Sequence, residues 1–263
     1  MADKRLRIML TTFQDIKAYS MDFFFSLLNF PIFIGITYLF WRAMLQNSNV
    51  AGMTLGYLMT YYATVYAVNV MSPRQGLASK ISGDILHGRI VINLVKPIPY
   101  LNYNLWKRIA GFVLDLVLYL GVLLAVSAAF NMQFTNDPLR IALFLISLVF
   151  SFLMNFTMFF CVGLTALWLE DNWGLLNAFT AFMSLFSGTM IPLELLSGTL
   201  RDAAFFLPFR FTAHFQASII MGNAALGDVL TNFALMIAWT VAFFVIAKIA
   251  WKIGEKRMYG YGV

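Results

Sequence analysis

The chain carries six long apolar runs, at about 23–41, 53–71, 109–130, 139–169, 173–191 and 229–251. Each holds enough consecutive hydrophobic positions to cross roughly 30 Å of hydrocarbon as a helix. The fourth is long enough to tilt or to extend beyond the bilayer. Ahead of the first run, Leu6, Met9, Phe13 and Ile16 recur at helical spacing, while Lys4, Arg5, Arg7 and Lys17 can reach lipid headgroups. Residues 4–22 are therefore expected to form a helix lying on the membrane surface.

Two segments between runs are patterned. In residues 72–108, a helix over 78–87 would put Ala78, Ile81 and Ile85 on one face and Lys80, Asp84 and His87 on the other. Gly88 follows where a helix end wants a left-handed residue. Residues 90–95 are apolar again, and Lys96-Pro97-Ile98-Pro99 stops regular structure. Such a short amphipathic helix fits a groove in a partner protein or the headgroup layer, and spacing alone does not separate the two. The other segment, 192–228, is apolar but punctuated by Pro192, Gly198, Pro208, Gly222 and Gly227. Its piece from 208 to 221 is too short to span. The pattern predicts two half-helices that dip into the membrane and return, with Pro208 at the turn, and Thr199 with Asp202 as a capping box. Backbone of this kind is tolerated where protein buries it or where it lines a cavity.

Composition sets the class. Hydrophobic residues make up 61% of 263 and charged residues 11%, against about 25% charged in soluble domains. The expectation is an all-α integral membrane protein forming a single transmembrane domain over 1–263, with no room for a separate soluble enzyme domain. Charge orients it. With both termini inside, the cytoplasmic side holds fourteen Lys or Arg residues, and the other side only Arg42, Arg140, Arg201 and Arg210. Six of the fourteen lie in 72–108 (Arg74, Lys80, Arg89, Lys96, Lys107, Arg108). The net charge of +6 thus belongs to membrane boundaries and does not suggest nucleic acid. The short Glu170-Asp171 turn suits a helix start.

Catalytic chemistry is sparse. No Gly-x-x-x-x-Gly-Lys-Ser/Thr phosphate loop occurs, so the chain is not expected to bind ATP itself. No His-Glu-x-x-His or paired-Cys metal spacing is present, and the lone Cys161 cannot form an internal disulfide. Asp115 is the ionisable residue set within a span, and Arg108 is its expected partner. His214 and Ser218 are four apart, but no nucleophile elbow or third partner accompanies them. Tyr57, Tyr61, Tyr62 and Tyr66 form two i, i+4 pairs on the second span. That aromatic face either packs against other helices or lines a pathway for an amphipathic substrate. Two further functional classes stay open at this level: a stand-alone channel or ion-coupled carrier, and an intramembrane enzyme built on His214 or Ser218. The lack of an evident internal repeat and of a buried charge chain weighs against the carrier.

Gly83-Asp84-Ile85-Leu86-x-Gly88-x-Ile90, followed by Leu94-x-Lys96-Pro97, resembles the first cytoplasmic loop of ABC-2 type exporter permeases. It is closest to the six-span branch that includes daunorubicin-resistance-like permeases. Phe206-Leu207-Pro208-Phe209, ahead of an apolar stretch ending in Met221-Gly222, is similar to that branch's outer re-entrant segment. The tail, with Gly254 and then Tyr259-Gly260-Tyr261-Gly262, resembles its ending loosely. The resemblance implies a coupling helix with Gly83, Asp84, Ile85, Leu86, His87, Gly88 and Arg89 contacting a separate ATPase subunit. It implies two permease chains, identical or different, over two ATPase subunits. ATP and Mg would sit on the ATPase, and this chain would hold no cofactor or metal. It also implies a multi-pass location in a plasma or inner membrane, and outer half-helices that close the extracellular end. Pro192, Glu194, Pro208, Phe209 and Arg210 are then the outer gate candidates, and the four tyrosines the pathway candidates. Substrate identity does not follow from any of these residues.

Overall fold

The computed structural model describes residues 9–12, 20–47, 52–94, 98–130 and 132–260. The surface helix expected over 4–22 falls mostly outside them. Within them the fold is helical throughout: α1 (Ser20–Asn47), α2 (Leu55–Met71), α3 (Gln75–Leu86), α4 (Ile90–Leu94), α5 (Tyr100–Ala129), α6 (Pro138–Leu164), α7 (Trp173–Phe186), α8 (Gly198–Phe206), α9 (His214–Ile220) and α10 (Leu226–Gly260). Short 3₁₀ turns cover Thr165–Leu167, Leu193–Leu195 and Pro208–Thr212.

Helix starts obey local chemistry. Thr54 caps α2 by accepting from the Tyr57 amide at 3.2 Å. Asp137 caps α6 by accepting from the Leu139 amide at 3.0 Å, with Pro138 in the first turn, where its missing N–H costs nothing. Asp171 accepts from the Trp173 amide at 2.9 Å, as the acidic turn suggested. The Thr199–Asp202 capping box does not form. Helix α8 begins two residues earlier than that box requires, with Ser197 at the cap position and no side-chain cap bond, because Gly198 turns the chain at φ 59° before Thr199 is reached.

Among the described residues, four helices are long and apolar enough to cross a membrane: the stretches Leu28–Gln46, Tyr100–Ala129, Pro138–Leu167 and Leu226–Lys256. The other two expected spans appear as shorter helices, α2 with 17 residues and α7 with 14. At 1.5 Å per residue, α7 falls well short of the hydrocarbon thickness. Boundaries also move: the third span starts at Tyr100, because Pro99 ends the preceding bend and begins the helix at once.

Helix α6 is the axis. It carries more buried side chains than any other described helix, including Phe152, Met154, Phe156, Phe159 and Phe160, while α3, α9 and α10 pack around it. Three other helices turn apolar residues outward, such as Ile36 and Leu39 on α1, Val117 and Leu124 on α5, and Val241 and Val245 on α10. Such a surface suits hydrocarbon and not water. Together the apolar outer surface and the long helices make this an all-α membrane protein.

One close approach fixes the position of α3. A side chain on Gly163 of α6 would lie 2.8 Å from Ile81 Cβ and 3.0 Å from the Ala78 carbonyl oxygen. Only glycine lets the two backbones meet there. We predict that Gly163→Ala lowers folding stability by about 1–3 kcal/mol through overpacking. Gly121→Ala, at a helical glycine with open space around it, should not. Thermal unfolding of the two purified variants in one detergent checks this.

Candidate functional site

Two features stand apart from simple span packing, one at each end of the bundle. The first is α3 with the turn that follows. The buried arc of α3 comprises Leu77, Ala78, Ile81, Ser82 and Asp84. Sequence spacing assigned Asp84 to the exposed face with Lys80 and His87, and the structure corrects this. Helix α3 is embraced on two sides, so its buried arc is wider than its apolar stripe. Asp84 is 9% exposed. It accepts from the Tyr100 hydroxyl at 2.8 Å and faces Lys80 Nζ at 3.6 Å and Arg89 Nε at 3.5 Å. A buried carboxylate needs such donors. Tyr100 in turn stacks on Trp251 of α10, ring centroids 5.0 Å apart.

Hydrogen bonds fasten the rest of the helix. Ser82 Oγ donates to the Ala78 carbonyl at 2.9 Å and lies 3.2 Å from the Gly163 carbonyl. Asn172, before α7, donates to Ser82 Oγ at 2.7 Å. Gln75 donates to Asn177 at 2.9 Å, and Lys80 to Asn104 at 2.6 Å. The helix ends as its sequence predicts: the Gly88 amide donates to the Ile85 carbonyl at 3.0 Å, and Gly88 sits at φ 70°.

What remains exposed is a strip on the outward side. Gly76, Ser79, Leu86, His87, Gly88 and Arg89 are exposed, and Gly83 is half-exposed. Leu86 is 45% exposed, and Ile92 on α4 is 65% exposed. Of the residues expected to contact a partner, Leu86 to Arg89 are therefore accessible, while Ile85 and Asp84 turn inward. Gly76, Ser79 and Ile92, which sequence reasoning did not single out, are exposed beside them. The two small residues fall on the same helical face as Gly83, and that spacing could have shown them.

The second feature is the 192–228 segment at the opposite end of the bundle. Half-helices α8 and α9 flank the 3₁₀ turn that starts at Pro208. The returning half of this hairpin, Pro208 to Ile220, is largely buried in protein, whereas α8 is exposed except around Ala204 and Phe205. Ser151 donates to the Thr212 carbonyl at 2.9 Å, and the Thr135 amide to the Ile220 carbonyl at 2.8 Å.

Tyr61 joins α2 to the turn after α7 and to the hairpin. Its hydroxyl donates to the Gly188 carbonyl at 2.8 Å and lies 3.2 Å from His214 Nδ1. The hydroxyl has one proton, so Nδ1–H must be the donor in the second bond. That leaves His214 Nε2 facing Glu194 Oε1 at 3.8 Å, an ion pair when the ring is protonated. Gly188, at φ 79°, leaves no room for a side chain, because the Tyr61 hydroxyl occupies the place of a Cβ. Tyr62 donates to the Met190 carbonyl at 3.1 Å, and Tyr66 stacks on Phe33, centroids 4.5 Å apart. Three of the four tyrosines thus pack or bond against neighbours. Tyr57 alone of the four lines a cavity of 660 Å³, together with Glu194, Arg210, His214 and Asn232.

The structure brings two of the gate candidates, Glu194 and Arg210, into that cavity. Arg210 is 6% exposed; its guanidinium lies over the rings of Phe211 and Phe205, 4.6 and 5.0 Å from their centroids, and it donates to Asn232. Phe209 instead packs on Phe179 and Phe182 of α7. Pro192 and Pro208 are buried at the starts of 3₁₀ turns. His214 and Ser218 are not arranged as base and nucleophile, since Ser218 Oγ donates to the Phe215 carbonyl at 2.8 Å and His214 is engaged by Tyr61 and Glu194. Asp115 and Arg108 line a common cavity and form no direct ion pair among the described residues. The expected pair is corrected to two groups sharing one space.

Comparison with known families agrees with this layout. The family model described as ABC-2 family transporter protein matches residues 32–262. No curated protein matches the chain. The match takes in nearly the whole bundle, from α1 through α3 and the outer hairpin to the end of α10, and the chain belongs to the ABC-2 family of transporter membrane proteins.

Proposed function

We propose that this permease component of an ABC transporter works as an exporter subunit driven by a separate ATPase that docks on the exposed strip of α3. The carrying observation is the division of labour on that helix. Its inner arc is locked to α5, α6 and, through Ser82 and Asn172, to the start of α7. Its outer strip offers small residues and the exposed Leu86. A push on the strip is therefore delivered to the helices and is not absorbed by a loose loop. ATP and Mg belong to the ATPase in this reading, and the chain itself holds no cofactor and catalyses no reaction. Two ATPase copies and a second permease, identical or related, complete the assembly.

The charge pattern supports an orientation with both termini and α3 in the cytoplasm of a cell bounded by this membrane. The hairpin carrying Pro192, Glu194, Pro208, Phe209 and Arg210 then closes the outer end. Tyr57 faces the outer cavity, while Tyr61, Tyr62 and Tyr66 shape the wall behind it.

Docking and anchoring separate experimentally. Leu86→Asp places a charge on the exposed strip. It should abolish co-purification of the ATPase and leave the thermal midpoint of the permease within experimental error. Asp84→Ala removes a charge-assisted acceptor from Tyr100 and should cost about 1.5–3 kcal/mol of stability. Gly88→Pro cannot adopt φ 70° and should release the helix end and uncouple transport. Co-purification retained in Leu86→Asp together with transport retained in Gly88→Pro, or ATP-independent flux by the isolated chain in liposomes, would overturn the reading.

At the outer end, Tyr61→Phe deletes the hydroxyl between Gly188 and His214. It should lower export severalfold while ATPase docking stays intact, about 1–3 kcal/mol of hairpin anchoring being lost. Transport assayed in reconstituted vesicles, alongside ATPase pull-down, reads both quantities.

A further inference from the structure

The cavity of 660 Å³ at the hairpin holds a buried cation without a counter-ion. Arg210, from the turn that starts at Pro208, is 6% exposed, and among the described residues no carboxylate oxygen lies within 4 Å of its guanidinium. It donates to one neutral acceptor, Asn232, and lies over the Phe205 and Phe211 rings, while Nε has no hydrogen-bond partner. A guanidinium out of water is satisfied far better by a carboxylate or phosphate than by a single amide oxygen. Glu194, in the same cavity, has the opposite need. Its Oε1 lies 3.8 Å from His214 Nε2, the Tyr57 hydroxyl is its other near neighbour, and Oε2 is buried without a partner. While the ring is neutral, its one proton is on Nδ1, toward Tyr61, so Nε2 has none to offer the carboxylate. Arg210 and Glu194 both act electrostatically on His214. Both therefore lie near that ring, yet they do not pair with each other.

The chemistry of the lining selects the class of ligand. A plain anion would meet Arg210 but would be opposed by Glu194 and by Asp228, exposed at the rim. A plain cation would suit Glu194 and leave Arg210 uncompensated. A molecule carrying both charges answers both groups. The volume falls within the range of about 300–1,000 Å³ for ligand pockets, and Phe205 and Phe215 offer apolar wall to the rest of such a molecule. We propose that this cavity binds a zwitterion, its carboxylate or phosphate on Arg210 and its ammonium on Glu194. The bound molecule ties the Leu193–Leu195 turn, which carries Glu194, to the Pro208–Thr212 turn, which carries Arg210. The zwitterion could be the headgroup of a membrane lipid or a soluble amino-carboxylate, and the test separates the two. The site stands apart from the exporter reading, because it requires neither ATPase docking nor a direction of transport.

The full chain is purified in a nonionic detergent at neutral pH. In one arm it is titrated calorimetrically with glycylglycine, with N-acetylglycine (carboxylate without ammonium) and with glycinamide (ammonium without carboxylate). In the other, phosphatidylethanolamine or phosphatidylglycerol is added to the delipidated sample, and retained lipid is read by native mass spectrometry. Arg210→Gln and Glu194→Gln each remove one charge, and Thr231→Trp fills the cavity from an exposed position on α10. Arg201→Gln with Asp202→Asn, exposed on α8 and outside the lining, controls for general surface attraction. Each charge removal should weaken zwitterion binding roughly ten- to a hundredfold, the worth of one charge-assisted hydrogen bond. Thr231→Trp should abolish binding, and the control should keep it. Glycylglycine binding with this dependence supports the site with a soluble ligand, and a phosphatidylethanolamine adduct with it supports a lipid. If neither zwitterion binds, if N-acetylglycine or phosphatidylglycerol binds as tightly as its zwitterionic counterpart, or if Thr231→Trp binds like the parent chain, the proposal is overturned. Because Thr231→Trp leaves every charge in place, misfolding of Arg210→Gln alone cannot decide the outcome. No arm uses the ATPase, so failure here leaves the exporter reading standing.

Discussion

The seat of α3 on α6 is the contact on which the rest of the arrangement depends. Ala78 and Ile81 rest on Gly163, where any side chain would collide, and this brings Ser82 within 3.2 Å of the Gly163 carbonyl. Asp84 is thereby carried to Tyr100, and Tyr100 to Trp251. A short helix of 12 residues would be marginal alone in water. Here tertiary contacts hold it and leave one strip outward. In the proposed role, stiffness at this point matters more than affinity, because a docked partner would transmit motion only through a helix that cannot slip.

The opposite end solves a different problem. A hairpin of half-helices exposes backbone groups that hydrocarbon cannot satisfy. The chain meets that demand with side chains from the bundle, Ser151 and Tyr61 among them, and with the Thr135 amide. The close approach at Gly188 again depends on a glycine, this time one with a left-handed backbone. Helix α2 connects the two ends: Tyr61 bonds the hairpin, and ten residues on, at Met71, the helix runs out beside the cavity that Arg108 and Asp115 share and that borders α3. Helix α6 connects them as well, with Ser151 bonded to the hairpin and Gly163 under α3. Both ends are thus built on the same two helices, the physical basis for expecting them to move together.

Much of this was legible in the residues. Long apolar runs have one low-energy solution in a bilayer, since only helices satisfy their own backbone there. The all-α membrane class therefore followed from hydropathy. Gly88 announced a helix end, Pro208 a turn, and Asp171 a helix start, because each acts through its own backbone and near neighbours. The loop pattern around Gly83 to Ile90 pointed to the family that the whole-chain comparison then established.

What the chain alone did not determine lies in contacts between distant residues. Helical spacing put Asp84 with Lys80 and His87, yet Tyr100 draws it inward, because a second helix covers that flank and supplies a donor. Arg108 and Asp115 look like a pair seven residues apart, but they line a common cavity without direct contact. The tyrosine face of α2 could have lined a pathway or packed; Gly188, Met190 and Phe33 settle three of its members and leave Tyr57 toward the outer cavity. Local rules and solvent choice determined class, helix ends and turns. Burial of each polar group was decided by which other helix reached it, a property of the packed bundle that periodicity along one helix does not contain.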